Sequence, residues 1–231
     1  MSCLLTHFGE INEPSSRAFW GGFDEADDEE VRKKLEWDSS SKATPISVDL
    51  MVLFEGFNIT EFGEQVLLKD TQELCRINDK GISLHKLNGK SKIIGLLEEN
   101  LSSSSEVANL LMPFCKLAKN VVTITIQPKV EYKSENISAF KDEITFVLGV
   151  NSGLRTVKEL EAPNFIVGAA AGISSYRNIK ELPVNSYIAY TDKSELDTLS
   201  AAPILKLLSE IGIECADSYN PKQRDQSHLY M

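Results

Sequence analysis

The sequence predicts an α/β domain, a layered structure with a central, mostly parallel sheet flanked by helices. Runs of apolar and β-branched residues at 48–54 and 121–126 read as strands, the first of them buried. Amphipathic stretches of helical period alternate with such runs, and the connections are long enough for parallel crossovers. The domain is placed at residues 46–215. An acidic, largely disordered arm at 1–45 precedes it, and a flexible tail at 216–231 follows.

In chain order, the arm carries a block of like charge at 24–30 and a serine run at 39–41, both of which favour an open, solvated chain. Val31, Leu35 and Trp37 allow a short helix there without requiring one. The strand at 48–54 stops at Glu55-Gly56. Phe62, Val66 and Leu67 can line one side of a short helix. Strand-like pieces at 74–77, 82–85 and 92–97 are separated by turn residues at 78–81 and 88–89, which predicts hairpins. Ser103 with Glu106 is a capping-box pattern. Val107, Leu110, Leu111, Phe114 and Leu117 then form one apolar helix face, which Pro113 should kink or restart. After the strand at 121–126, residues 128–138 read as a loop and 144–148 as a strand. The small residues of 168–176 suit a closely packed helix, and 186–190 a further strand. Residues 194–212 read as helical in two segments, with Ser194 and Asp197 as a capping pair, Pro203 opening the second segment and Gly212 closing it.

The 231 residues carry 24 basic against 34 acidic side chains, a net charge of −10. That balance argues against nonspecific binding to nucleic acid or to anionic lipid, and favours a basic surface on another protein. No stretch approaches the roughly 20 apolar residues of a membrane span, and the first residues lack the pattern of a secretory signal. Cys3, Cys75, Cys115 and Cys215 are far apart with no CxxC pair, so reduced thiols in the cytosol are expected.

Catalytic chemistry finds little support. Residues 149–153 (Gly-Val-Asn-Ser-Gly) follow a strand, as a nucleophile elbow does, but Ser152 is one place late for Gly-x-Ser-x-Gly. His7, His85 and His228 are poorly placed as its partners. The rival readings of this turn are a hydrolase-like enzyme using Ser152 and a small-ligand site at the strand ends. Residues 168–172 lack dinucleotide-fingerprint spacing, and no phosphate loop is present. Cys75 with His85, or Cys115 alone, lacks metal-ligand spacing. No catalytic residue, cofactor or metal is therefore expected. What remains is the ending Leu229-Tyr230-Met231: a branched aliphatic, an aromatic hydroxyl and a carboxylate that suit a peptide docking end-first.

Several stretches resemble the proteasome assembly chaperone 1 family. They are Phe8-Gly9-Glu10 followed by the acidic run, residues 160–167, 169–176 and 188–192, residues 196–207, and the hydrophobic-Tyr-any-residue ending. The resemblance implies a non-enzymatic α/β chaperone of the cytoplasm and nucleus, with an association with the endoplasmic reticulum. It would pair with proteasome assembly chaperone 2 and support assembly of the proteasome core-particle α ring. It also implies that Leu229 is the hydrophobic anchor in a pocket between α subunits, that Tyr230 orders that pocket, and that the carboxylate of Met231 meets a pocket lysine.

Overall fold

The computed structural model describes residues 35–38, 44–98, 103–134, 140–192 and 195–221. All belong to the second of two units in the chain, 35–231; the first, 1–34, lies outside the described residues with its acidic run. The elements are β1 Val48–Gly56, α1 Ile59–Val66, β2 Thr71–Ile77, β3 Ile82–Leu87, β4 Lys92–Glu98, α2 Ser104–Leu117, β5 Ala118–Pro128, β6 Thr145–Val150, β7 Lys158–Glu159, α3 Gly168–Ile179, β8 Val184–Thr191 and α4 Thr198–Glu210.

One sheet of order β2-β3-β4-β1-β5-β8-β6-β7 runs through the domain. Its centre, β4-β1-β5-β8, is parallel. The predicted hairpins β2-β3-β4 add antiparallel strands on one side, and β6 pairs antiparallel with β8 on the other. Alternation along the strands feeds two cores. Val52, Phe54, Val122 and Ile124 join Phe62 of α1 and Ile204 and Leu208 of α4. Met51, Leu53 and Val121 join Leu111 and Phe114 of α2 and Ile173 of α3. With both faces covered, β1 must be apolar on each side, which is why it reads as an unbroken run.

Three local expectations change. Ser103 precedes α2 but makes no side-chain cap, and its buried hydroxyl has no partner among the described residues. α2 runs through Pro113, held by the buried side chains of Leu111, Phe114 and Cys115 on either side of it. α4 is one helix rather than two, because the Asp197 carboxylate accepts from the N–H groups of Leu199 (3.1 Å) and Ser200 (2.8 Å) and starts it there. The Ser200 hydroxyl returns a bond to form the capping box, Pro203 lies inside the helix, and Ser194 falls outside the described residues.

The domain also reaches beyond the predicted boundaries. Leu35 and Trp37 pack against the α2 core, Trp37 edge-on to Phe114 at 6.1 Å, and the Asp38 carboxylate accepts from the Asn78 side chain at 2.8 Å. At the other end Tyr219 is buried against Phe62, ring centroids 5.3 Å apart.

Candidate functional site

β1, β5 and β8 end together, and along their α3-facing side the last turns carry polar residues. Glu55 of β1 is buried, and its carboxylate accepts from the N–H groups of Ala169 (2.9 Å) and Ala170 (2.8 Å), closing the amino terminus of α3. A carboxylate at that position meets two of the four orphan donors and the positive end of the helix dipole. The fit demands glycine next door: Gly168 has φ +79°, and a Cβ there would lie 2.2 Å from Glu55 Oε1. Small residues were expected to bring this helix close to the sheet. Its Gly172 also lets α2 approach, an added Cβ falling 3.3 Å from Ala108.

Above this cap lies a cavity of about 300 Å³ lined by Glu55, Gln127, Lys133, Pro163, Phe165 and Tyr190, among others. Its walls are two loops clasped by Asn164, which accepts from Lys133 N–H (2.8 Å) and donates to the carbonyls of Lys133 (2.7 Å) and Glu161 (2.8 Å). Gln127 is buried and its amide nitrogen has no hydrogen-bond partner among the described residues. Burial pushes the Tyr190 phenol up to about 12, so it stays neutral. The cavity is mostly apolar, with a few polar groups, and suits an apolar group that carries an acceptor.

Ser152 lies at the other end of the sheet. Because β6 runs antiparallel to β8, pairing Val150 with Ser186, the 149–153 turn sits at the amino ends of the parallel strands. The rival small-ligand reading puts its site beside this turn, whereas the cavity just described lies at the carboxyl ends. Ser152 is buried; its hydroxyl donates to Glu159 Oε1 (3.1 Å), and its carbonyl accepts from Asn185 Nδ2 (3.1 Å) and from the Tyr187 hydroxyl. A buried serine bonded to a carboxylate, with no histidine among these contacts, is a structural joint rather than an activated nucleophile.

The remaining candidates are equally structural. Cys75 lies opposite Leu84 in the β2–β3 register, so His85, the next residue, projects to the other face. Burial pushes the thiols of Cys75 and Cys115 up to about 12 and lowers the pKa of His85. Among the described residues no cluster of His, Cys, Asp or Glu is arranged to hold a metal ion. No helix among them is long and apolar enough to cross a membrane.

Leu229, Tyr230 and Met231 lie outside the described residues, but the path toward them is defined. After α4 the chain returns along α1, Ala216 N–H donating to the Val66 carbonyl at 3.0 Å. It arrives beside the start of α4, where the Thr198 hydroxyl donates to Asn220 Oδ1 at 3.2 Å. The chain thus reaches Pro221 at the carboxyl ends of the strands, the end that holds the cavity. Sequence reasoning missed Glu55 because its partners Ala169 and Ala170 lie far along the chain, and Gln127 because the loops around it are brought together only by the fold; a lone acidic residue closing an apolar strand was the available signal.

No sequence-family profile matches the chain, and no curated protein matches it in sequence. In fold it is similar to Pyrococcus furiosus PbaA, described as an archaeal homolog of proteasome-assembly chaperone. The identity is 12%, 76% of this chain and 86% of that chain are covered, and the TM-score is 0.55. A monoclinic form of PbaA gives 14% identity, 74% and 79% coverage and a TM-score of 0.55. A protein of unknown function from Thermoplasma acidophilum gives 13% identity, 72% and 77% coverage and a TM-score of 0.53. At these identities the shared property is the fold: this chain has the architecture of PbaA.

Proposed function

We propose that the chain is a proteasome assembly chaperone that works by binding rather than by catalysis. The observation that carries this reading is a PbaA-like fold in a chain that ends Leu229-Tyr230-Met231. In this reading it pairs with proteasome assembly chaperone 2, in the cytoplasm and nucleus, and the pair assists assembly of the proteasome α ring. Leu229 fills an apolar slot between adjacent α subunits, the Tyr230 ring buries beside it, and the Met231 carboxylate meets a lysine or backbone N–H groups. A tripeptide buries little surface and loses its freedom on docking, so alone it binds weakly; tethering to the domain and its partner raises its effective concentration. The buried Ser152, bonded to Glu159, gives no support to the hydrolase alternative.

The test is affinity purification through an amino-terminal tag with the carboxyl terminus left native. Proteasome α subunits and the homologous chaperone should be recovered together. Removing residues 229–231, or extending the chain past Met231, should lower α-subunit recovery about tenfold while leaving chaperone pairing intact. Undiminished α-subunit recovery with both changes would rule out the tail mechanism.

A further inference from the structure

The end of the domain from which the tail departs also carries a surface fit for a second contact. Among the described residues, the exposed large apolar side chains Phe57, Val130, Ile144, Phe165 and Leu199 all sit on loops or first turns at the carboxyl ends of the parallel strands. Leu117 and Ile179 sit at the opposite end. Val130 is 91% exposed and Phe165 67%, a large apolar area to leave in water without a use. Phe165 also lines the 300 Å³ cavity, whose buried Gln127 amide nitrogen has no partner among the described residues. The loops on this end expose Glu131, Asp142, Glu143 and Glu161 against Lys133 and Lys141, so its charge complements a basic surface.

Chain length ties this face to the tail. Residues 222–231 begin beside Asn220 and Thr198, and ten residues fully extended span at most ~35 Å. A receptor held by residues 229–231 therefore lies within that distance of this end.

We infer that the carboxyl-end surface of the sheet is a docking face for the same α-ring partner that takes the tail. The cavity receives an apolar side chain from a basic α-subunit surface, and Gln127 donates to an acceptor brought with it. This rests on the proposed chaperone role and adds a contact made by the folded domain, independent of the tail.

The experiment compares α-subunit recovery by the amino-terminally tagged full-length chain and its variants, with the homologous chaperone co-expressed. Val130→Glu and Phe165→Ser, both at exposed positions, should each lower α-subunit recovery about fivefold to tenfold. Gln127→Leu should lower it by a smaller factor, and chaperone pairing should be unchanged throughout. Ile179→Glu, at the opposite end, should leave recovery unchanged. Combining Val130→Glu with loss of residues 229–231 should reduce recovery further than either alone. If the unaltered chain recovers no α subunit, the chaperone reading itself fails. If it recovers them and the face variants do so equally, the docking face is wrong and the reading stands. Loss of chaperone pairing in the face variants would assign this surface to the homologous partner and overturn the inference.

Discussion

At the amino ends of the parallel strands the polar groups satisfy one another; at the carboxyl ends they surround open space. The amino end is fastened by Arg177, fully buried, whose guanidinium donates to the carbonyls of Pro183 (3.0 Å), Ala118 (3.1 Å), Lys119 (2.9 Å) and Cys115. The Ser152 turn bonds to Glu159, Asn185 and Tyr187 on the same end. A hydroxyl cluster of Thr123, Ser174 and Ser186 continues the bonding inward between sheet and α3. At the carboxyl end one helix is capped by Glu55, and beyond that cap lie the cavity and the exposed apolar side chains. The contrast is one of finish: the amino end is closed by a dense set of hydrogen bonds, whereas the carboxyl end, beyond its helix caps, leaves a cavity and exposed apolar side chains.

That contrast breaks most easily at Arg177. Arg177→Met strips the hydrogen bonds from four carbonyls at once and should destabilise the domain by on the order of 3–5 kcal/mol, read from urea unfolding. Alkaline pH attacks the interior next. Burial holds the Cys75 and Cys115 thiols protonated up to about 12, above their ordinary value of 9.0. The folded state therefore binds the proton more tightly than the unfolded chain. Stability should be fully present below the ordinary thiol value and be lost progressively as pH rises from there toward about 12. Cys115→Ala should flatten that slope.

At the carboxyl end, Glu55→Gln leaves a single good acceptor for two helix N–H groups, so a loss of about 1–2 kcal/mol is expected. Asp197→Ala removes the α4 capping box and should cost about 1 kcal/mol by the same measurement. Smallest of all, Val130→Glu should change stability by less than about 0.5 kcal/mol, since the side chain touches solvent. A larger loss there would mean the exposed face supports the fold, and the two ends would no longer divide the work.

What could be read from sequence was whatever local pattern determines. The apolar runs of β1 and β5, the hairpins, α2 and α3 are each visible within a dozen residues, as was the alternation that makes the centre parallel; α1 read only as a stretch that could be helical, and α4 as two segments. Features depending on distant partners were invisible. Ser103 with Glu106 and Ser194 with Asp197 carry equally plausible capping patterns, yet Ser103 caps nothing and α4 is closed by Asp197, the residue read as the second member of its pair. Nothing near Glu55 announces that it meets Ala169, and nothing near Tyr219 announces a gap beside Phe62. The antiparallel turn of β6 reversed the end on which residues 149–153 sit, since strand direction follows from pairing rather than composition.

The position of β1 has a consequence in time. Among the described strands it is the first to be synthesised, and it lies mid-sheet, pairing Val48 with Ala118 and Leu50 with Lys92. One neighbour, β5, starts at residue 118, 70 residues after Val48. At roughly 5–20 residues per second, that edge of β1 waits on the order of 4–14 s for its partner. The helix that Glu55 caps is made later still. During each round of synthesis this apolar strand is thus a half-built sheet edge, exposed until its second neighbour emerges.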